Sequence, residues 1–217
     1  MSLEKGRFKE IPKDAVILTK PQAITYQYKI LNNWPHFSDV WGFKYSRYLL
    51  AMSTTFSSMY INNYFRTKFR LLNYGRLSSY LPICVVPAAM SVLVHTDFVT
   101  SELVVGGNDT CPVCLQTRAA ALQTAVGFLI PFALAPTMGL SLVHRFHTID
   151  MPYISKEPKK VFKIIGGHFA RIKNASFGFF LGHALLASIV TLLESNSVHK
   201  VNMSLIESIE QVQSAKR

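Results

Sequence analysis

The residues best suited to chemistry are Cys111 and Cys114, which bracket Pro112 and Val113 in a C-x-x-C pair. Two thiols at this spacing can close a disulfide, cycle as a redox couple or supply half of a zinc site. A structural zinc site takes four ligands, and the chain holds only three cysteines. His95 precedes the pair in the same connection, but a fourth ligand is not evident. No metal is therefore expected. Catalytic redox pairs usually sit at a helix start within a thioredoxin-like βαβ unit. A helix is expected after Cys114, yet no βαβ pattern is present. The pair reads first as a disulfide or two free thiols in a short turn, with redox catalysis as the alternative.

The other polar candidates carry weaker chemistry. Cys84 lies in an apolar run and reads as buried filling. His144 and His147 form H-x-x-H beside Arg145 without a nearby cluster of carboxylates, a pattern that headgroup contact explains as well as metal binding. His183 interrupts an apolar stretch. An ionisable residue at such a place is a functional candidate, but a neutral imidazole can also simply bond a neighbouring helix, the reading preferred here. Gly178 and Gly182 flank it as G-x-x-x-G, a spacing that lets another backbone approach closely. Gly178, Gly182 and His183 are accordingly expected to mark a partner-helix face. No phosphate loop, dinucleotide fingerprint, nucleophile elbow or H-E-x-x-H occurs. No internal repeat supports an inverted-repeat transporter. Neither an enzymatic function nor a cofactor is expected. Sequons at Asn108, Asn174 and Asn202 matter only if the chain enters the secretory pathway.

The elements that must position these residues are set by where charge is missing. Of 217 residues, 49% are hydrophobic and only 16% charged, against about a quarter charged in a soluble domain. Fifteen Phe and nine Tyr exclude a disordered chain. Tyr48–Phe65, Leu77–Val94, Ala119–Val143 and Asn174–Leu193 contain no Asp, Glu, Lys or Arg. Roughly 20 helical residues cross a hydrocarbon core. The expected fold is an all-α membrane protein of about four transmembrane helices, 48–65, 77–96, 117–143 and 174–193, joined by short connections. Pro82, Pro87, Pro131 and Pro136 fall inside two of them, where neighbouring helices can re-satisfy the freed carbonyls. The first segment is rich in Ser, Thr and Asn, so an interfacial helix with three spans is the fallback. Residues 1–45 read as a polar tail, 46–195 as the membrane domain and 196–217 as a second tail. The first 40 residues lack the apolar core of a cleavable secretory signal.

The net charge of +11 is unevenly placed. Arg66, Lys68, Arg70 and Arg76 occupy one connection without an acid; Arg145, Lys156, Lys159, Lys160, Lys163, Arg171 and Lys173 occupy another against Asp150 and Glu157. Between them, His95–Arg118 carries Asp97, Glu102 and Asp109 with one base. Four spans would put both basic connections on one side, the cytoplasmic or matrix side by the positive-inside rule. The charge therefore reads as orientation and contact with the bilayer, anionic headgroups included, and not as nucleic-acid binding.

From Asn63 to Arg145 the sequence resembles the transmembrane protein 126 family. The residues that carry the resemblance are the Arg-rich exit NYFRTKFRLLNYGRLSSYLPICVVP, the C-x-x-C followed four residues later by Arg118, and GFLIPFALAPTMGLSLVHRF with Gly127, Pro131, Ala135 and Arg145. The resemblance implies a multi-pass protein of the mitochondrial inner membrane that assists assembly of respiratory complex I. It implies binding to complex I membrane subunits and fellow assembly factors, without an established catalytic residue to carry over. A membrane thiol–disulfide oxidoreductase using Cys111 and Cys114, or a small channel or transporter, are the alternatives.

Overall fold

A computed structural model describes residues 17–106 and 111–215. Among these the chain is helical: α1 Lys20–Asn32, α2 Phe37–Lys68, α3 Arg76–Gly106, α4 Pro112–Phe146 and α5 Pro158–Ala215. The all-α expectation holds. Three helices are long and apolar enough to cross a membrane: α3, α4 and the Pro158–Ser208 part of α5. The expected segments 77–96, 117–143 and 174–193 lie inside them.

The segment 48–65 lies in α2, which is long enough at 32 residues but not apolar enough on average. The reason is visible in how its faces are disposed. Ser46, Thr54, Ser57, Ser58, Asn62 and Arg66 are all buried, while Met52 and Phe56 are 67% and 68% exposed. A surface helix of a soluble protein turns its apolar stripe inward; α2 buries Val40, Phe43, Leu50, Ile61 and Phe65 together with these polar groups, and also turns apolar side chains outward. A count of four spans is therefore approximate. Three rest on apolar composition, and α2 would rest on polar groups that are buried and apolar ones that face outward.

Two of the proline-bearing helices widen next to their prolines. In α3 the π turn Leu81–Val85 contains Pro82 and ends two residues before Pro87; in α4 the π turn Ala125–Leu129 ends two residues before Pro131. A proline lacks the N–H for the i−4 bond and its ring crowds that carbonyl, so the turn before it opens to i→i+5 pairing. A third π turn, Thr96–Thr100, has no proline. Segments expected as polar tails contain structure as well. α1 begins where the Gln22 side chain accepts the Thr19 N–H at 3.0 Å, and it buries Ala23, Gln27 and Leu31. α5 runs without a break past residue 196 and buries Val198 and Val201.

The chain divides into two compact units: Met1–Leu49, Val94–Ala119 and Ser188–Arg217 form the first, Leu50–Leu93 and Ala120–Ala187 the second. The second unit holds the main apolar core, with Ile61, Phe65, Phe69, Ile83, Phe128, Leu140, Val143 and Ile165 buried together. Phe132 stacks on Phe169 with ring centroids 4.3 Å apart. Gly139 permits this packing, because a Cβ there would stand 2.6 Å from the Phe69 ring.

Both basic connections belong to the second unit and meet at one end of it. Thr148 donates to the Phe69 carbonyl at 2.8 Å, and Tyr74 stacks on Phe146. Lys68, Arg70, Arg76, Lys159, Lys160 and Lys163 are exposed. Arg66 is not: its guanidinium is buried and donates to the carbonyls of Leu72 and Tyr74 at 2.7 and 3.0 Å and to Ser79 Oγ at 2.8 Å. It clasps a tight connection in which Arg70, Leu72 and Gly75 all have positive φ.

Candidate functional site

Each unit encloses a polar node, and the first unit also carries the exposed thiols. In the first unit Glu194 of α5 is 1% exposed, just past the charge-free stretch. Ser46 Oγ donates to its Oε1 at 2.7 Å, Thr100 Oγ1 to its Oε2 at 3.1 Å, and His95 Nε2 lies 3.2 Å from Oε2. Three helices thus converge on one carboxylate. The proline-free π turn explains how α3 supplies two of the partners. Residues five apart on an α-helix point about 140° away from each other; widening the turn brings His95 and Thr100 to the same side. Gly42 on α2 lets α5 come close, since a Cβ there would stand 2.8 Å from the Leu193 carbonyl oxygen. The phenol of Tyr28 on α1 is buried without a hydrogen-bond partner. Burial pushes that phenol above its ordinary pKa; Arg47 opposes the shift, and Glu194 and Asp97 add to it. The node brings a carboxylate and an imidazole to hydrogen-bond distance. It is not a nucleophilic triad, because Ser46 donates to the carboxylate and makes no hydrogen bond to the ring.

In the second unit the node is neutral. His183 Nε2 lies 3.0 Å from Ser57 Oγ, and its Nδ1 lies 3.2 Å from Gln123 Nε2. The amide nitrogen of Gln123 also lies 3.3 Å from the Leu50 carbonyl oxygen and 3.0 Å from Thr54 Oγ1, so its two hydrogens are shared among three acceptors. A carbonyl can only accept, so this contact assigns the amide orientation and makes Nδ1 an acceptor. The ring proton is then on Nε2 and points at Ser57 Oγ. Ser57 in turn donates to the Thr54 carbonyl at 3.0 Å. A serine that receives the imidazole proton is not activated by it. Gly127 lies at the centre, where a Cβ would come within 2.7 Å of Thr54 Oγ1, 2.8 Å of Gln123 Nε2 and 3.1 Å of His183 Nδ1.

The sequence-derived sites distribute as follows. His183 is buried, whereas Gly178 and Gly182 on the same helix are exposed, with nothing within 4 Å of a Cβ built at either. The expected partner face is therefore split: the glycines face outward and the histidine inward. His144 stacks on Tyr153 at 4.4 Å and, with His147 and Asp150, lines an open cavity of about 340 Å³. Among the described residues no group of three His, Cys, Asp or Glu could hold a metal ion. Cys111 and Cys114 are exposed free thiols, and Cys84 is a buried one. Glu194, Thr100, Ser46 and Gln123 were not singled out by sequence reasoning. Gln123 could have been, since it is an amide within a charge-free stretch of 25 residues.

The model of the family described as transmembrane protein 126 matches residues 22–206. A Drosophila melanogaster protein named transmembrane protein 126 is 36% identical over 214 residues, which cover 98% of this chain and 96% of that protein. The chain belongs to the transmembrane protein 126 family. No solved structure matches it. The match takes in both polar nodes, so the transmembrane protein 126 family relationship spans α1 to α5 and extends well beyond the Asn63–Arg145 stretch that carried the resemblance.

Proposed function

We propose that the protein is a multi-pass assembly factor of the mitochondrial inner membrane that assists construction of respiratory complex I. Its partners are the membrane subunits of that complex or fellow assembly factors, together with the lipid bilayer and its anionic headgroups. Nucleic acid is not among them. The assembly function is one of binding and uses no cofactor.

The observation that carries this reading is the outward face of α5. Gly178 and Gly182 leave a shallow, unfilled strip beside Phe177, Phe180, Leu181 and Leu185, which are 41–64% exposed. Within a bilayer, apolar exposure alone does not drive helices together; close backbone approach at small residues does. Such a strip suits a client helix whose final neighbours have not arrived. The inward, fully bonded His183 supports packing rather than a conduction path. The exposed bases at one end of the second unit suit a matrix-facing surface against anionic headgroups.

The test is affinity purification from mildly solubilised mitochondria, comparing the natural chain with a Gly178→Leu/Gly182→Leu variant. Complex I membrane subunits or assembly factors should dominate the co-purifying proteins and fall several-fold in the variant. Their absence with the natural chain, or equal recovery with both, would count against the proposal.

A further inference from the structure

Cys111 and Cys114 are absorbed by neither polar node nor by the binding face. Cys111 is the N-cap of α4: its carbonyl accepts the Leu115 N–H at 3.2 Å, and Pro112 opens the helix. Its Sγ receives the backbone N–H of Cys114 at 3.3 Å and the Cys114 thiol at 2.6 Å. Both thiols are exposed, as is Val113 between them at 69%. With no third ligand to make a metal site among the described residues, the pair is left with thiol chemistry and an open approach.

We propose that Cys111 and Cys114 form a thiol–disulfide exchange site whose substrate is a cysteine disulfide on a protein partner, with Cys111 as the attacking sulfur and Cys114 as the resolving one. The Cys111 thiolate attacks one sulfur of the partner's disulfide. That bond breaks, a mixed disulfide to Cys111 forms, and the departing cysteine leaves as a thiolate that takes up a proton. Cys114 then loses its proton and attacks Cys111 Sγ. The mixed disulfide breaks, the Cys111–Cys114 disulfide forms, and the partner's second sulfur leaves and is protonated. Two electrons pass from this dithiol to the partner, and no other oxidant or reductant is consumed; the reverse sequence oxidises a partner dithiol.

The division of roles follows from position. Cys111 has the helix N-terminus and its N–H groups directed at it, which stabilise a thiolate; Cys114 lies in the first turn and supplies one of those donors. Hydrogen bonds from the Cys114 thiol, and then from the Cys114 and Val113 amides, hold the Cys111 thiol below the ordinary cysteine range. The two sulfurs are in contact, so the resolving thiol already stands beside the sulfur it attacks.

The experiment uses the full chain in lipid nanodiscs with oxidised glutathione and iodoacetamide as probes. Cys114→Ser should accumulate a glutathione adduct on Cys111 and alkylate about tenfold faster than Cys111→Ser does on Cys114. The natural chain should pass to an internal disulfide without retaining an adduct, and buried Cys84 should stay unmodified as an internal control. In membranes from cells producing Cys114→Ser, a reductant-sensitive protein adduct absent from Cys111→Ser should appear on non-reducing gels. Equal reactivity of the two variants, persistent adducts on the natural chain, or a glutathione adduct with no protein adduct would each overturn the proposal. None of these readouts depends on complex I, so this site and the assembly reading can fail separately.

Discussion

The polar nodes of the two units solve one problem in different ways. A polar group held inside an apolar bundle must find its partners there. In the first unit the group is a carboxylate, and its partners are two hydroxyls and an imidazole arriving from α2 and α3. In the second it is an imidazole that needs no charge, satisfied by an amide and a hydroxyl from α4 and α2. Unlike the neutral ring, the carboxylate is held by partners that would all be stranded together if it were removed. The lesson is that burying a charge ties several helices to one residue, whereas a neutral node spreads the dependence.

The sharpest way to break this contrast is at Glu194. Glu194→Leu strands Ser46, Thr100 and His95, and should lower stability in detergent by about 3 kcal/mol or more, read as a fall in thermal midpoint; Glu194→Gln should recover part of it. Gly127→Ala comes next, since three atoms of the neutral node must move to admit a Cβ. A loss of about 1–3 kcal/mol is expected, against less than about 0.5 kcal/mol for Gly178→Ala or Gly182→Ala. Equal effects at the three glycines would remove the inward–outward distinction drawn between them. His183→Ala should cost about 1–2 kcal/mol by removing one partner each from Ser57 and Gln123, which keep others at Thr54 and Leu50, less than Glu194→Leu; the reverse order would show that the number of stranded partners is not what separates the nodes.

The smallest effect concerns the exposed thiols and leaves folding unchanged. Because the Cys111 pKa lies below the ordinary cysteine value, its thiolate is populated at lower pH. Its alkylation should therefore rise through its midpoint at lower pH than for a free cysteine. Cys114→Ala removes the side-chain donor, the largest cause of the shift, and should move that midpoint upward.

Much of the architecture was legible because it depends on composition along the chain. Runs without charge located the three apolar spans, and their prolines were expected to be tolerated inside them; that two of the widened turns among the described residues lie at those prolines is a finding of the structure. What stayed hidden is what depends on facing. Arg66 counts as a base in a basic connection, yet it is an internal clasp, because the carbonyls that hold it sit in a turn whose positive φ values no spacing rule reveals. α2 looked too polar because an average over a helix discards direction. Gly178, Gly182 and His183 lie on one short stretch of helix and still part company, since residues one apart turn by about 100°.

By itself, the sequence determined that this is an all-helical membrane protein with 11 of its 23 bases in two connections and a dithiol at a helix start. These follow from local counts: hydropathy over about 20 residues, charge per connection and the spacing of two cysteines. Only the tertiary structure decided that Glu194 is a hub, that His183 is a bonded neutral ring, and that the glycines beside it are open. Those outcomes depend on which distant residues fill the space around each side chain. In a bundle that space is set by helix rotation and close approach, which no single segment carries.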